Sequence, residues 1–432
     1  MFDTFRNAWK TPELRKKILY TLLILVIFRL GCAISVPYVN VDALELFRQL
    51  GGSGNMLDYL NMMSGGALSQ CAIFALSVSP YINASIIIQL LTVAIPALER
   101  LSKEGEEGRR KLTRITRYTG AGIGVAMSIG YYMVLRSWGV LAYNTGWQAW
   151  FSAVVIVLSF AAGSQLLTWM GEQIDAKGIG NGVSLLIFVG IISRWSSVIN
   201  SVQTLLGEAA DGKPQYYFIL PLIVVLAVVA VVFVVILTNA ERRIPVQYAK
   251  RVVGRKMYGG QASHIPIKVN MSGVMPVIFA STLCSIPNMI GSLLQVKGTF
   301  WVTFFEVFNY NSALYAIIYL LLILAFNYFY VAIQYNPVEI ANNLRKNNGA
   351  IPGIRPGKPT SDFITKSLSK ITLIGAVFLG IVAVMPIVLG NLTGVSIQLG
   401  GTSLLIVVGV ALDTGRNMES YMLMRHHKGF LE

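Results

Sequence analysis

Charge is what this chain lacks most. Asp, Glu, Lys and Arg make up 13% of its 432 residues, about half the share of an ordinary soluble domain. With 54% hydrophobic residues and a mean hydropathy of +0.61, a soluble globular class is excluded and a membrane class is the first reading. Cysteine is also scarce: Cys32, Cys71 and Cys284 sit in or beside apolar runs without CxxC spacing, so no disulfide framework or redox site is expected. The three histidines, His264, His426 and His427, lack any metal-site spacing, and no P-loop is present; no cofactor, metal or catalytic constellation is expected. Ionisable groups are nearly absent from the apolar runs. Glu172, Glu241 and Asp413 fall at their ends, and Arg29 is the clear exception inside one, as a structural or snorkelling charge.

What is present is a series of apolar runs long enough to cross a bilayer, which takes about 20 residues each. Ten are read, at 18–36, 71–95, 115–135, 149–170, 183–201, 217–237, 271–292, 313–333, 368–389 and 398–416. The first, from Ile18, is long enough to stay in the membrane and is not a cleaved leader. An even count puts both termini on one side. The 35 Lys and Arg residues then split sharply: 29 fall in the N-terminus, 99–117, 172–181, 240–268, 336–370 and the tail, against five in the opposite loops. By the positive-inside rule both termini are cytoplasmic, which accounts for the net charge of +15 without nucleic acid. At the N-terminus, Thr11-Pro12-Glu13 is a helix start, and Phe2, Phe5 and Trp9 give the preceding segment an amphipathic face suited to the membrane surface.

The chain also repeats itself. Val78-Ser79-Pro80-Tyr81-Ile82-Asn83-Ala84-Ser85 in the second run and Val274-Met275-Pro276-Val277-Ile278-Phe279-Ala280-Ser281 in the seventh both fit V-x-P-x-I-x-A-S. Five crossings apart, they run in opposite senses, as in inverted-repeat transporters whose working site lies between the halves. The prolines are expected either as simple kinks or as hinges facing a central passage. Without charges, such a passage has an aliphatic lining, which stops ions by dewetting.

Three further stretches stand out. Residues 51–70, GGSGNMLDYLNMMSGGALSQ, flank a short apolar piece with glycines. Eight residues make about 12 Å of helix, too short to span, so the piece is either a packed external loop or a re-entrant plug on glycine hinges. GIGNG at 178–182 is a tight turn into the fifth run. GAIPGIRPGKPT at 349–360 cannot be a helix interior or central strand and holds Arg355 on a stiff, structureless tip.

These residues carry a family resemblance. SPYINASIIIQLL (79–91), SGVMPVIFAS (272–281), GGTSLLIVVGVALD (400–413), GAIPGIRPG (349–357) and ERRIPVQYAKR (241–251) resemble the SecY family, central subunits of the bacterial protein-conducting channel, nearly end to end. The resemblance implies an all-α membrane protein whose ten transmembrane helices form two inverted five-helix halves around an hourglass channel, in the bacterial cytoplasmic membrane. It implies a lateral gate between helices two and three on one side and seven and eight on the other. Its constriction residues match Val78, Ile82, Ile187, Ile278 and Ile406. Its plug matches Met56, Leu57, Asp58, Tyr59, Leu60, Asn61, Met62, Met63, Ser64, Gly65 and Gly66. Its long cytoplasmic loops, which dock the motor ATPase SecA or a ribosome, match Arg242, Arg243, Lys250, Arg251, Arg255 and Lys256 on one loop and Arg355 and Lys358 on the other.

The expected organisation is a cytoplasmic segment 1–17, a first half 18–201 with the plug, an external hinge loop 202–216, a second half 217–416 with loops 240–268 and 336–367, and a tail 417–432. The expected function is a gated, non-enzymatic conduit. Unfolded secretory polypeptides and their signal peptides thread it, and membrane segments leave it sideways into lipid. The resemblance adds the small subunits SecE and SecG as partners. A secondary transporter of a small solute is the alternative; it calls for a carboxylate or ion site at mid-membrane. An intramembrane enzyme would need a buried nucleophile and base, and the histidines are placed wrongly for that.

Overall fold

The computed structural model describes residues 9–40, 64–143, 145–193, 195–210, 215–248, 251–253, 256–258, 262–294, 304, 312–393 and 401–428. A helix lies over every expected crossing. In the first half these are α1 (Pro12–Gly31), α2 (Ser79–Ala94) with the short α3 (Pro96–Lys103) after it, α4 (Glu106–Ser137), α5 (Gly146–Lys177), and α6 (Gly182–Ser193) with α7 (Trp195–Ala210). In the second half they are α8 (Tyr216–Asn239), α9 (Met275–Leu294), α10 (Ala313–Gln334) followed by α11 (Pro337–Lys346), α12 (Lys358–Thr393) and α13 (Gly401–Lys428). Among the described residues, five helices are long and apolar enough to cross a membrane: α4, α5, α8, α10 with α11, and α12. The pair α2 and α3, bent by 101°, makes a sixth if counted as one span. For the remaining crossings the count of ten stands on the sequence reading.

Helix starts follow local chemistry. Thr11 is extended, Pro12 opens α1, Glu13 lies in its first turn, and Arg15 N–H donates to the Thr11 carbonyl at 2.9 Å. Asn336 accepts from the Glu339 N–H at 3.3 Å ahead of α11, with Pro337 in the first turn. The first is the opening i→i−4 bond of α1, and the second satisfies an N–H group that a helix end leaves without a partner.

The structure corrects the sequence reading of the second crossing. Its helix begins at Ser79, not at 71. Residues 64–78 run as turns, with Cys71 at φ +44° and Ser77 at φ +53°, values an α-helix does not tolerate. Pro80 lacks the N–H an upstream helix would need. This irregular backbone is enclosed in protein, the condition under which non-helical chain is tolerated at membrane depth. Ala67, Cys71, Ala72, Phe74 and Ala75 are all buried, and an antiparallel bridge joins Ser35 to Ala72. Helix α5 passes so close that a Cβ on Gly163 would lie 2.1 Å from the Ile73 carbonyl oxygen. Two further expectations are revised. Residues 202–210, read as an external loop, continue α7. Pro80 and Pro276 sit in the first turns of α2 and α9, so neither makes a mid-helix kink.

The repeat is visible in how the helices pack. Within the first half, α2 lies on α4, α4 on α5, α2 on α5, α1 on α5 and α6, and α5 on α6. Five crossings later the same pattern returns: α9 on α10, α10 on α12, α9 on α12, α8 on α12 and α13, and α12 on α13. The halves are joined by α7 to α8 along the chain, and by α6 against α13 and α9 against α2 and α4 across the interface.

Each half has its own apolar core. One gathers Leu135, Ile156 and Phe160, the other Val277, Tyr319, Ile323 and Leu379. A third core draws on both halves, from Phe28 and Leu167 to Phe279 and Val410.

The basic loops are not structureless. Strand β1 (Glu241–Tyr248) pairs antiparallel with β4 (Ala262–Lys268), with Ile244 opposite Ile265, while β2 (Arg251–Val253) pairs with β3 (Lys256–Tyr258) at the hairpin's far end. The second loop adds β5 (Gly349–Ala350), a two-residue edge strand with Gln247 opposite Ala350, giving the order β4-β1-β5. Its start is therefore ordered by pairing, against the expectation of a wholly structureless tip. Ile244, Val246 and Ile267 from the hairpin share a buried core with Leu344, Ile351, Ile364 and Leu368, so the two loops form one body.

Candidate channel waist, gate seam and docking surface

The five constriction candidates come from four helices, Val78 and Ile82 from the cap and first turn of α2 and the others from α6, α9 and α13, and all lie in the core shared by the two halves. Val78 is 1% exposed, Ile82 7%, Ile187 2%, Ile278 7% and Ile406 2%. Local backbone explains how the repeated motif delivers its side chains. Val78 caps α2, and its carbonyl accepts from Tyr81 and Ile82, each at 3.1 Å. In the second copy the Val274 carbonyl accepts from Val277 at 3.1 Å and Ile278 at 3.2 Å. The same residue positions make the same bonds. Each copy starts a helix on a proline suited to its first turn and aims an isoleucine one turn later into the shared core.

Of the plug candidates, Met56, Leu57, Asp58, Tyr59, Leu60, Asn61, Met62 and Met63 lie outside the described residues. Ser64, Gly65 and Gly66 are described, and they are held by the first half. Arg29 donates from Nη1 to the Gly65 carbonyl at 2.8 Å, Ser193 Oγ donates to the same carbonyl at 3.5 Å, and Ser69 Oγ donates to the Gly66 carbonyl at 2.8 Å. The Leu68 N–H donates to Ser64 Oγ at 3.2 Å. Arg29, a charge inside the first crossing, thus has a structural task.

At the seam between the halves, α9 touches both α2 and α4. Phe279 stacks edge-on to Phe326, centroids 6.0 Å apart, and tilts against Tyr330 at 5.3 Å. The Tyr330 hydroxyl donates to Gln89 Oε1 at 2.8 Å, joining α10 to α2. Composition and hydropathy gave no sign of Gln89 and Tyr330 as partners, because they are 241 residues apart. A polar side chain in an apolar helix was the available signal.

The docking candidates divide similarly. Arg242 and Arg243 are exposed on β1, and Arg243 Nε pairs with Glu241 Oε1 at 2.7 Å. Arg251 and Lys256 belong to β2 and β3, whereas Lys250 and Arg255 lie outside the described residues. Arg355 is exposed at the tip, and its carbonyl accepts from Thr360 Oγ1 at 2.9 Å. Gly353 at φ +80° and Gly357 at φ +104° bracket it in backbone that only glycine adopts cheaply. Lys358, also exposed, opens α12.

Fold and waist together define a class: a helical membrane protein whose two related halves meet at a common aliphatic core. The SecY family model matches residues 72–415. The chain is 41% identical over 441 residues to the protein translocase subunit SecY of Thermotoga maritima, covering all of this chain and 98% of that one. A solved structure described as that of a protein-conducting channel superposes with a TM-score of 0.63 at 18% identity, covering 94% of this chain and 92% of the other. Sec61 in the canine ribosome–channel complex from the endoplasmic reticulum superposes with a TM-score of 0.60 at 16% identity, covering 96% of each chain. The chain belongs to the SecY family.

Proposed function

We infer that this protein is the central subunit of a gated protein-conducting channel that passes unfolded secretory polypeptides across the cytoplasmic membrane and releases membrane segments sideways into lipid. The observation that carries the reading is the convergence of Val78, Ile82, Ile187, Ile278 and Ile406, from both halves, on one buried aliphatic core. A ring of such side chains excludes ions by dewetting and offers no fixed polar partner to whatever passes. That suits a substrate of variable chemistry better than the specific site of a solute transporter. Sideways release is assigned to the α2/α4 and α9/α10 seam, and the plug to residues 56–66.

The body formed by the hairpin and the Arg355 tip is assigned to docking of SecA or a ribosome, whose acidic and phosphate groups suit Arg242, Arg243, Lys250, Arg251, Arg255, Lys256, Arg355 and Lys358. The likeness to a channel bound to a ribosome supports this. SecE and SecG are the small partner subunits the family implies. The split of Lys and Arg supports cytoplasmic termini.

Cysteines placed along α2 and α9 test the conduit. An arrested secretory precursor crosslinks to positions 82 and 278 and not to lipid-facing Ile87; absence of crosslinks to the waist overturns the reading. For docking, Arg355→Glu abolishes SecA-driven export while the protein stays folded and inserted, and normal export rejects the role.

A further inference from the structure

The hairpin and the waist are joined at one residue. Helix α8 ends at Asn239 and β1 begins at Glu241, so no loop separates that helix from the hairpin. The Ala240 carbonyl between them accepts from the Val269 N–H at 2.9 Å, closing the hairpin's root. Arg416 of α13 donates from Nη2 to the Thr238 carbonyl and to Asn239 Oδ1, both at 2.8 Å. Its Nη1 lies 3.9 Å from Asp413 Oδ1, one turn back. A guanidinium with five donors can hold several acceptors at once. Here it meets a helix C-terminus, where carbonyls lack partners and positive charge is favoured.

Helix α13 is unbroken from Gly401 to Lys428 and carries Ile406 and Val410 into the shared core. From Ile406 to Arg416 is about 15 Å of helix. On the same helix, a Cβ on Gly409 would lie 2.6 Å from Val274 Cγ2, and a Cβ on Gly180, in the turn before α6, would lie 3.3 Å from Thr414 Oγ1 of α13. Helix α13 thus lies close against Val274, the residue before α9, and against the turn before α6, while its far end grips the hairpin's root. Small shifts of packed helices are a common way for a distant load to move a site.

We propose that Arg416 is a positioning residue that couples the docking hairpin to the waist: through its bonds to Thr238 and Asn239, a load on the hairpin shifts α13 and displaces Ile406 from the ring. This rests on the docking reading given above.

The test uses the full chain with its partner subunits in vesicles, purified SecA and a secretory precursor. Arg416→Met lowers the maximal translocation rate about five-fold. It leaves the SecA concentration at half-maximal rate and the resting ion conductance unchanged, and Arg416→Lys retains most of the rate. An unchanged maximal rate overturns the coupling. So does a loss shared equally by Met and Lys variants together with a lowered melting temperature, which marks a clamp on the fold alone. Should Arg416→Met fail to accumulate, Asn239→Ala removes one of the two acceptors. It lowers the rate about two-fold, and no change overturns the proposal. Arg355→Glu and Arg242→Glu separate the two readings: if SecA saturation is unaffected by both, the docking assignment fails whatever Arg416 does.

Discussion

The two copies of V-x-P-x-I-x-A-S share a backbone and differ in company. Val78 and Val274 accept from the same relative N–H groups, and Ile82 and Ile278 both enter the common core at 7% exposure. One residue later the copies part. Asn83 turns its amide toward Met127 Sδ at 3.9 Å, and its Oδ1 is buried without a hydrogen-bond partner. Phe279, in the equivalent place, joins Phe326 and Tyr330. Upstream, the first copy follows buried turns at 64–78, and the second follows Ser272, whose hydroxyl donates to Asn327 Oδ1. A short motif therefore fixes where a helix begins and which side chain it aims. The neighbours decide what that helix then packs against.

Ways to break the equivalence of the copies follow in order of size. Replacing Ile82 and Ile278 together with glycine raises resting ion conductance in planar bilayers by about an order of magnitude, since the dewetted neck loses two of its bulky members. Each single replacement gives a smaller and similar rise, and unchanged conductance in the double variant removes both from the constriction. Phe279→Ala destabilises the protein by about 3 kcal/mol through the cavity left beside Phe326 and Tyr330. Asn83→Ala costs less than 1 kcal/mol or stabilises, because it removes an unsatisfied buried acceptor. Equal costs, measured by thermal unfolding in detergent with partner subunits, contradict the asymmetry. Tyr330→Phe removes the hydrogen bond to Gln89 at a cost of about 0.6 kcal/mol, and raises the yield of lateral crosslinks from a signal sequence to lipid. An unaltered yield leaves that bond no part in the seam. The smallest effect is expected for Pro80→Ala and Pro276→Ala, each within about 1 kcal/mol, because a first-turn position needs no N–H partner. A loss above 2 kcal/mol in either copy shows that its proline does more than begin the helix.

The body at the basic end was the least legible part of the chain. Its Pro/Gly tip and cationic loops were plain, yet the hairpin that orders them was not anticipated. The signal was there in the two Ile-Pro pairs at 244–245 and 265–266, which meet with Ile244 opposite Ile265. Proline argues against strands in general, but here β1 and β4 tolerate it, and the pairing partner is known only once the chain has folded back. The irregular stretch 64–78 failed for the opposite reason. Its apolar composition mimics a crossing, while its two left-handed residues, Cys71 and Ser77, are both buried in the folded chain.

The sequence by itself determined the membrane class, the placement of apolar runs, the charge asymmetry and the repeated helix start, since these depend on solvent transfer and on backbone chemistry within a few residues. It also named, through a family resemblance carried by local motifs, five aliphatic residues that the fold gathers in one buried core. Only the tertiary structure decided that Arg29 holds Gly65, that Tyr330 reaches Gln89 and that Arg416 grips the end of α8. Each is one polar side chain meeting an acceptor 36 to 241 residues away. Such a group bonds to whichever acceptor the packing brings within reach, and packing is a property of the whole chain.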